Sequence, residues 1–181
     1  GPYVHRSWWW RSGKNFREKA KAFAPSPLGF TMVKHTPSSN SPAYRLLGGK
    51  GEVTTEIDFQ LPGVRREIVR VGEHVFCGMT AVTPITDNTS EFHHAIYWTS
   101  PRVTLAKPFL AFFMKRFLGQ DGVAFKKQGV GLAHDPPLML VEDADKQARW
   151  YFALKKEFAA ARKEGRPVEN PVDETVLHWR S

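Results

Sequence analysis

Short apolar segments alternate with brief turns through the middle of the chain. Between Val53 and Phe59 every second residue is Val, Thr, Ile or Phe, and the residues between them are polar or charged. That period is typical of a half-buried strand. Comparable segments predict strands over 30–35, 43–47, 53–61, 66–71, 74–84 and 90–99, separated by turn residues. Consecutive short strands joined by brief turns predict an antiparallel meander.

The period changes after Pro101. Leu105, Phe109, Phe113 and Phe117 follow one another at intervals of four, which places them on one apolar stripe of a helix. A second helix is predicted over 142–164, with acidic residues in its first turn, basic residues in its last, and Gly165 after its end. A sheet followed by long helices is an α+β arrangement.

We therefore expect a curved antiparallel sheet that grips a long C-terminal helix, as in the helix-grip fold of START and Bet v 1-like proteins. Such a sheet would bury the Phe-rich stripe and leave a cavity beside it. With 181 residues, 41% of them hydrophobic, the chain is long enough for one domain spanning residues 1–181. Its 13 Phe, six Trp and four Tyr suit a thick core or an apolar cavity.

The single cysteine, Cys77, leaves no internal disulfide or Cys-based cluster in these 181 residues, which fits a reducing compartment. The formal charge of +8 is spread along the chain and mixed with acidic residues, so we expect no nucleic-acid partner. A nucleic-acid binder would instead need a contiguous positive face with exposed aromatic residues. The most apolar run, 103–118, is too short and too charged to cross a bilayer. We expect no membrane span and a cytoplasmic protein.

Asp121 is the most informative polar residue, because it extends the apolar stripe by one more interval of four. A carboxylate buried on such a face is usually paired, protonated or bound to a metal. Alternatively, Gly119-Gln120-Asp121-Gly122 ends the helix and exposes the carboxylate in a turn. His93 and His94 fall on opposite faces of a predicted strand, so one of them can point into a cavity. The common hydrolase, kinase and dinucleotide-binding motifs do not occur.

The segment Gly1-Pro2-Tyr3-Val4-His5-Arg6-Ser7-Trp8-Trp9-Trp10 resembles the sequence around the second iron-binding His of Rieske-type non-heme iron oxygenases. The segment around Gln120-Asp121 resembles the part of the same family that supplies the third ligand, and 145–151 and 177–181 resemble its C-terminal end. The pattern is most similar to pheophorbide and chlorophyllide oxygenase-like or vanillate demethylase-like members. The resemblance implies that His5 and Asp121 bind mononuclear Fe(II). It also implies that the first His ligand, and a Rieske domain with its 2Fe–2S cluster, lie before Gly1.

On this resemblance the chain is a catalytic-domain fragment, inactive alone, of an enzyme that hydroxylates or oxidatively demethylates an aromatic or polycyclic substrate with O2. A ferredoxin or flavin reductase would supply electrons, and the subunits would form a trimer. Two neutral imidazoles and one carboxylate suit Fe(II) and leave positions open for oxygen and substrate.

We predict a substrate pocket from the aromatic residues of the sheet and first helix, with ordinary core packing as the alternative for each. The candidates are Phe76, Phe92, His94, Tyr97, Phe109 and Phe113, followed by Phe30, Met79 and Phe112. The alternative function is a non-catalytic module of the same fold that binds a hydrophobic ligand. The two differ in whether Asp121 and His5 lie within about 5 Å of each other, as a shared metal requires.

Overall fold

The computed structural model describes residues 18–37 and 51–180. Within them the chain forms seven strands and three helices. The strands are β1 (Glu18–Ser26), β2 (Gly29–His35), β3 (Val53–Gln60), β4 (Val64–Val71), β5 (His74–Thr86), β6 (Thr89–Trp98) and β7 (Thr175–Arg180). The helices are α1 (Pro101–Leu105), α2 (Lys107–Leu132) and α3 (Glu142–Glu164). The strand predicted over 43–47 lies outside the described residues.

The strands form one antiparallel sheet in the order β6-β5-β4-β3-β2-β1-β7. The predicted meander is confirmed for β3 to β6, which pair in sequence order. Strands β1 and β7 were not predicted, and they pair with each other from Glu18 and Arg180 to Phe23 and Thr175. The C-terminal strand therefore lies at one edge of the sheet. The expected α+β class is confirmed, and the curved sheet with a long helix is compatible with the helix-grip arrangement.

The β1–β2 turn brings two backbones into close contact. A Cβ atom at Gly29 would lie 1.8 Å from the carbonyl oxygen of Phe59, so a larger residue would force β2 and β3 apart. Asn170, in the segment between α3 and β7, donates from its side-chain amide to the carbonyl oxygens of Ser26 and Gly29. The β1–β2 turn is thus in contact with β3 through Gly29 and with the segment before β7 through Asn170.

Two groups of buried residues form the core. The larger one joins α3 to β1, β2 and β7, and contains Phe23, Phe30, Met32, Trp150, Leu154, Val172 and Leu177. The smaller one joins α1 to β3, β4 and β5, and contains Val53, Val69, Val71, Phe76 and Val103. Both groups lie on the same face of the sheet, which we call the inner face.

The predicted bounds of α3 are confirmed, because local signals set both of its ends. Glu142, Asp143 and Asp145 lie in the first turn, and the Asp145 carboxylate accepts a hydrogen bond from the Val141 N–H. Negative charge here favours the positive end of the helix dipole. Gly165 follows the helix in the left-handed conformation, at φ 68°, where glycine is favoured.

Helix α2 differs from the prediction. The expected burial of its Phe-rich stripe against the sheet is wrong, since α2 has no buried residue and Phe109 and Phe112 are 70% and 64% exposed. Helix α3 packs on the inner face instead, where its Trp150 and Leu154 belong to the larger core group. The alternative that 119–122 ends the helix is also wrong, since α2 continues ten residues past Gly122. The helix continues through four Gly residues, at 119, 122, 129 and 131, although each costs about 1 kcal/mol relative to Ala in a helix interior.

Candidate functional site

Strand register places the inner-face residues in rows that cross the sheet. One row contains Phe30, Phe59, Arg65, Thr80 and His94, each directly opposite the next on the neighbouring strand. The adjacent row contains Phe23, Met32, Ile57, Glu67, Gly78 and Ile96. The first row is apolar on β2 and β3, the second is apolar from β1 to β3, and each has a charged residue where it reaches β4. Within these two rows, we call the part on β1 to β3 the apolar half and the part from β4 onward the polar half.

The apolar half forms a cavity with α3. Its volume is about 270 Å³, and it is lined by Phe23, Phe30, Met32, Ile57, Phe59, Arg65, Gln147, Ala148 and Tyr151. The rings of Phe30 and Phe59 stack with centroids 5.2 Å apart, and Tyr151 meets Phe59 edge-on at 5.7 Å. Offset and edge-on contacts are the favoured geometries of aromatic pairs. The lining can thus receive a flat apolar ring.

The polar half begins with an ion pair on β4. The Arg65 guanidinium donates to the Glu67 carboxylate at 2.9 Å, and both side chains remain partly exposed, at 44% and 33%. Since Arg65 lies directly opposite Phe59, its charge is placed beside the aromatic lining of the cavity. Solvent screens a pair of this exposure, so its contribution to stability is small.

His94 lies further along the same row. Its Nδ1 is 2.9 Å from the Thr80 hydroxyl, and its ring stacks on Phe92 with centroids 6.3 Å apart. A Cβ atom at Gly78 would lie 3.6 Å from His94 Cε1, so the imidazole rests beside a position without a side chain. Burial lowers the pKa of His94, the Arg65 charge lowers it further, and the Glu67 charge opposes this. The ring is therefore neutral at pH 7.

A second imidazole, His35, lies on the inner face at the end of β2. It pairs with Thr55, and its Nδ1 is 2.8 Å from the carbonyl oxygen of Val33. Burial lowers the pKa of His35, with a further lowering from Lys21, whereas the Val33 carbonyl and Glu67 raise it. Glu67 thus acts electrostatically on both His35 and His94.

The opposite, outer face contains a separate polar network. Asp58 is buried there and accepts hydrogen bonds from Arg66 at 2.6 and 3.0 Å and from Thr31 at 3.1 Å. The pKa of Arg66 is raised, chiefly by its hydrogen bond to Asp58. Because Asp58 has partners on the strands on both sides of its own, its role is to join β2, β3 and β4.

The structure brings together some of the predicted pocket residues and separates others. Phe92 and His94 contact each other on the inner face, and Phe76 is buried in the smaller core group on that face. Tyr97 pairs with Cys77 on the outer face. Phe109 and Phe113 lie on α2 with their side chains exposed. Of the further candidates, Phe30 lines the cavity, Met79 lies on the outer face and Phe112 on α2.

Of the two predicted iron ligands, Asp121 lies in the middle of α2 and is partly buried. His5 lies outside the described residues. Among residues 18–37 and 51–180, no group of three or more His, Cys, Asp and Glu side chains is arranged to hold a metal ion. The described residues therefore include one of the ligands that the resemblance implies.

Sequence reasoning missed Arg65, Glu67, Gln147 and Tyr151. The signal for Arg65 and Glu67 was their spacing of two, which places them on one face of a strand. For Gln147 and Tyr151 it was their spacing of four on the predicted helix.

No protein-family model matches the chain, and no curated protein and no solved structure resembles it significantly. None of the helices in the part of the chain that the structure describes is both long and apolar enough to cross a membrane.

Proposed function

We propose that the chain belongs to the catalytic domain of a Rieske-type non-heme iron oxygenase, and that it holds an aromatic or polycyclic substrate against the inner face. The observation that carries the proposal is the place of Asp121. Asp121 lies partly buried within the long helix that follows strands β1 to β6 in the chain, and the resemblance assigns a carboxylate ligand to this residue.

The proposed metal site is completed by residues outside the described part of the chain. Asp121 would supply a carboxylate, His5 one imidazole, and a His before Gly1 the other. When bound, the iron would activate O2 with electrons from a 2Fe–2S cluster. The described residues would bind and orient the substrate. The aromatic lining of the cavity would orient the ring and exclude water, and His94, held by Thr80, would present a neutral imidazole beside Arg65.

The test is iron binding by the subunit expressed with its upstream coding sequence. We expect Asp-x-x-His directly before Gly1, and a pair of Cys-x-His and Cys-x-x-His segments further upstream. Iron content and the electron paramagnetic resonance signal of the Fe(II)–nitric oxide complex report the mononuclear site, and the reduced cluster gives its own signal. We expect Asp121→Ala to weaken mononuclear iron binding by about tenfold or more while leaving the cluster intact.

Asp173→Ala is the matched control, since Asp173 is an exposed carboxylate in the segment between α3 and β7. It should retain iron at the level of the unmodified protein. Full iron binding by the Asp121→Ala variant, or unrelated sequence before Gly1, would overturn the proposal.

A second candidate function is supported by the cavity itself. A cavity whose described lining is largely aromatic and apolar, and does not include Asp121, suits a module that binds a hydrophobic ligand without a metal. This function predicts ligand binding that is unchanged by iron and by the Asp121→Ala substitution, so the iron experiment separates the two.

A further inference from the structure

We propose that the cavity takes an aromatic ligand with a carboxylate group, and that Arg65 binds this carboxylate. The inference rests on the proposed function in taking this ligand to be the substrate, and it names the substrate class more narrowly. The binding itself requires no iron.

The cavity lining has a single charged side chain among its described residues. Of the described residues that line it, Arg65 alone is charged, Gln147 and Tyr151 are polar, and the others are apolar. A largely apolar site with few polar groups fixes the orientation of its ligand through those groups. A bound ring would therefore be oriented by a group that complements a guanidinium.

Arg65 lies beside the stacked aromatic residues of the cavity. It lies opposite Phe59 on the neighbouring strand, and Phe59 stacks on Phe30. A ring placed against these two aromatic residues would have its edge toward β4 beside the guanidinium. The planar donors of an Arg side chain match the two oxygens of a carboxylate. The side chain is partly exposed, so a ligand can reach it without a change in the backbone.

Glu67 is the present partner of Arg65. Its carboxylate accepts one hydrogen bond from Arg65 Nη2, at 2.9 Å, and so occupies one of the donors that a ligand carboxylate would use. An exposed ion pair of this kind is weak, so replacing the Glu67 carboxylate by a ligand carboxylate costs little free energy. Glu67 is therefore a competitor for the ligand, and its removal should strengthen binding.

The cavity volume sets the size of the ligand. About 270 Å³ lies just below the range for pockets that hold drug-sized molecules, roughly 300 to 1,000 Å³. A ring system of two or three fused rings suits that volume, and the open side of the cavity would accommodate substituents of a larger molecule.

The experiment compares two probes of equal size, naphthalene-2-carboxylate and naphthalene-2-carboxamide. Their affinities for the full chain, purified without added iron, are measured by isothermal titration calorimetry. We expect the carboxylate to bind about tenfold more tightly than the neutral amide, as one charge-assisted interaction provides. Arg65→Gln should abolish this preference and leave the affinity for the amide unchanged.

Glu67→Gln gives a change of the opposite sign. It should tighten binding of the carboxylate severalfold and leave the amide unaffected, a result that a damaged fold does not produce. Arg70→Gln is the matched control, because Arg70 is an exposed Arg on the same strand and faces the outer side. It should change neither affinity.

Three results would overturn the inference. The first is that neither probe binds. The second is that the unmodified chain binds the carboxylate and the amide with equal affinity. The third is that Arg65→Gln loses the same affinity for both probes. The last result would assign Arg65 a packing role. Binding of either probe needs no iron, so the two proposals fail separately. Equal affinity for the two probes would overturn the carboxylate proposal, whereas full iron binding by Asp121→Ala would overturn only the oxygenase proposal.

Discussion

Helices α2 and α3 have similar lengths, 26 and 23 residues, but their environments differ. Helix α3 is rich in Lys, Arg and Glu, yet Trp150, Leu154 and Ala161 are buried. Helix α2 contains five Phe residues, yet none of its residues is buried, and Leu110 is partly buried against the smaller core group. The more apolar helix is thus the more exposed one.

The difference arises from how each helix is connected to the sheet. Helix α3 leads through Asn170 into β7, which pairs along β1, and Asp143 in its first turn accepts a hydrogen bond from the His178 N–H. These contacts place Trp150 and Leu154 of α3 in the larger core group on the inner face. A few correctly placed apolar residues bind a helix to a sheet more effectively than a larger number without a partner surface.

The strongest test of the comparison is the removal of one core side chain from α3. Leu154 is 0% exposed, and we expect Leu154→Ala to lower the free energy of unfolding by about 2–5 kcal/mol. The same truncation on α2, Phe112→Ala, should cost less than about 0.5 kcal/mol. Urea denaturation of both variants gives the two values. Equal losses would show that α2 contributes to the core as much as α3 does.

A smaller effect is expected where the connection from α3 reaches the sheet. Asn170→Ala removes two donors to the β1–β2 turn and the acceptor for the Val172 N–H. We expect a loss of about 1–3 kcal/mol in the free energy of unfolding, measured by urea denaturation. Asn88→Ala, at the exposed β5–β6 turn, is the control. If Asn170→Ala is as stable as this control, the Asn170 contacts do not hold α3 in place.

The smallest effect should appear in acid at the C-terminal end of α3. Hydrogen bonds from Arg166 and from the Glu169 N–H lower the pKa of Glu157 from 4.5 to about 2. Because this pKa is lower in the folded state, the stabilisation is present above pH 4.5 and is lost as the pH falls toward about 2. Glu157→Gln should make the decline of stability over this range shallower, whereas the exposed control Glu174→Gln should have the smaller effect. Urea denaturation at a series of pH values measures both slopes, and an unchanged slope in Glu157→Gln would contradict the prediction.

Local patterns predicted most of the elements, and the failures have identifiable causes. Strands β3 to β6 follow from alternation and turn residues, and α3 follows from its charged ends and Gly165. Strand β1 was missed because its alternation includes Lys19 and Lys21 and ends near Pro25. Strand β7 was missed because its six residues, Thr175–Arg180, are too few to define a period. Both become strands by pairing with each other across more than 150 residues of sequence.

The candidate site was less predictable than the fold. The alternation of side chains along a strand correctly predicted that His93 and His94 lie on opposite faces. The interval of four from Leu105 correctly predicted that Asp121 lies in a helix. Arg65 and Arg66 are neighbours in sequence with opposite environments. Arg66 forms an ion pair with Asp58 on the outer face, whereas Arg65 lines the cavity on the inner face. The sequence contains no signal for which of the two faces the core.

The sequence by itself determined the type of most elements, the ends of α3 and the presence of an aromatic, α+β domain, since periodicity and capping depend on residues close together in the chain. The tertiary structure decided which helix covers the sheet, which Arg reaches the cavity and whether the Phe-rich stripe is buried. Those outcomes depend on the pairing of β1 with β7 and on the register of β3, β4 and β5. Such contacts join residues far apart in sequence, where no local pattern specifies the partner.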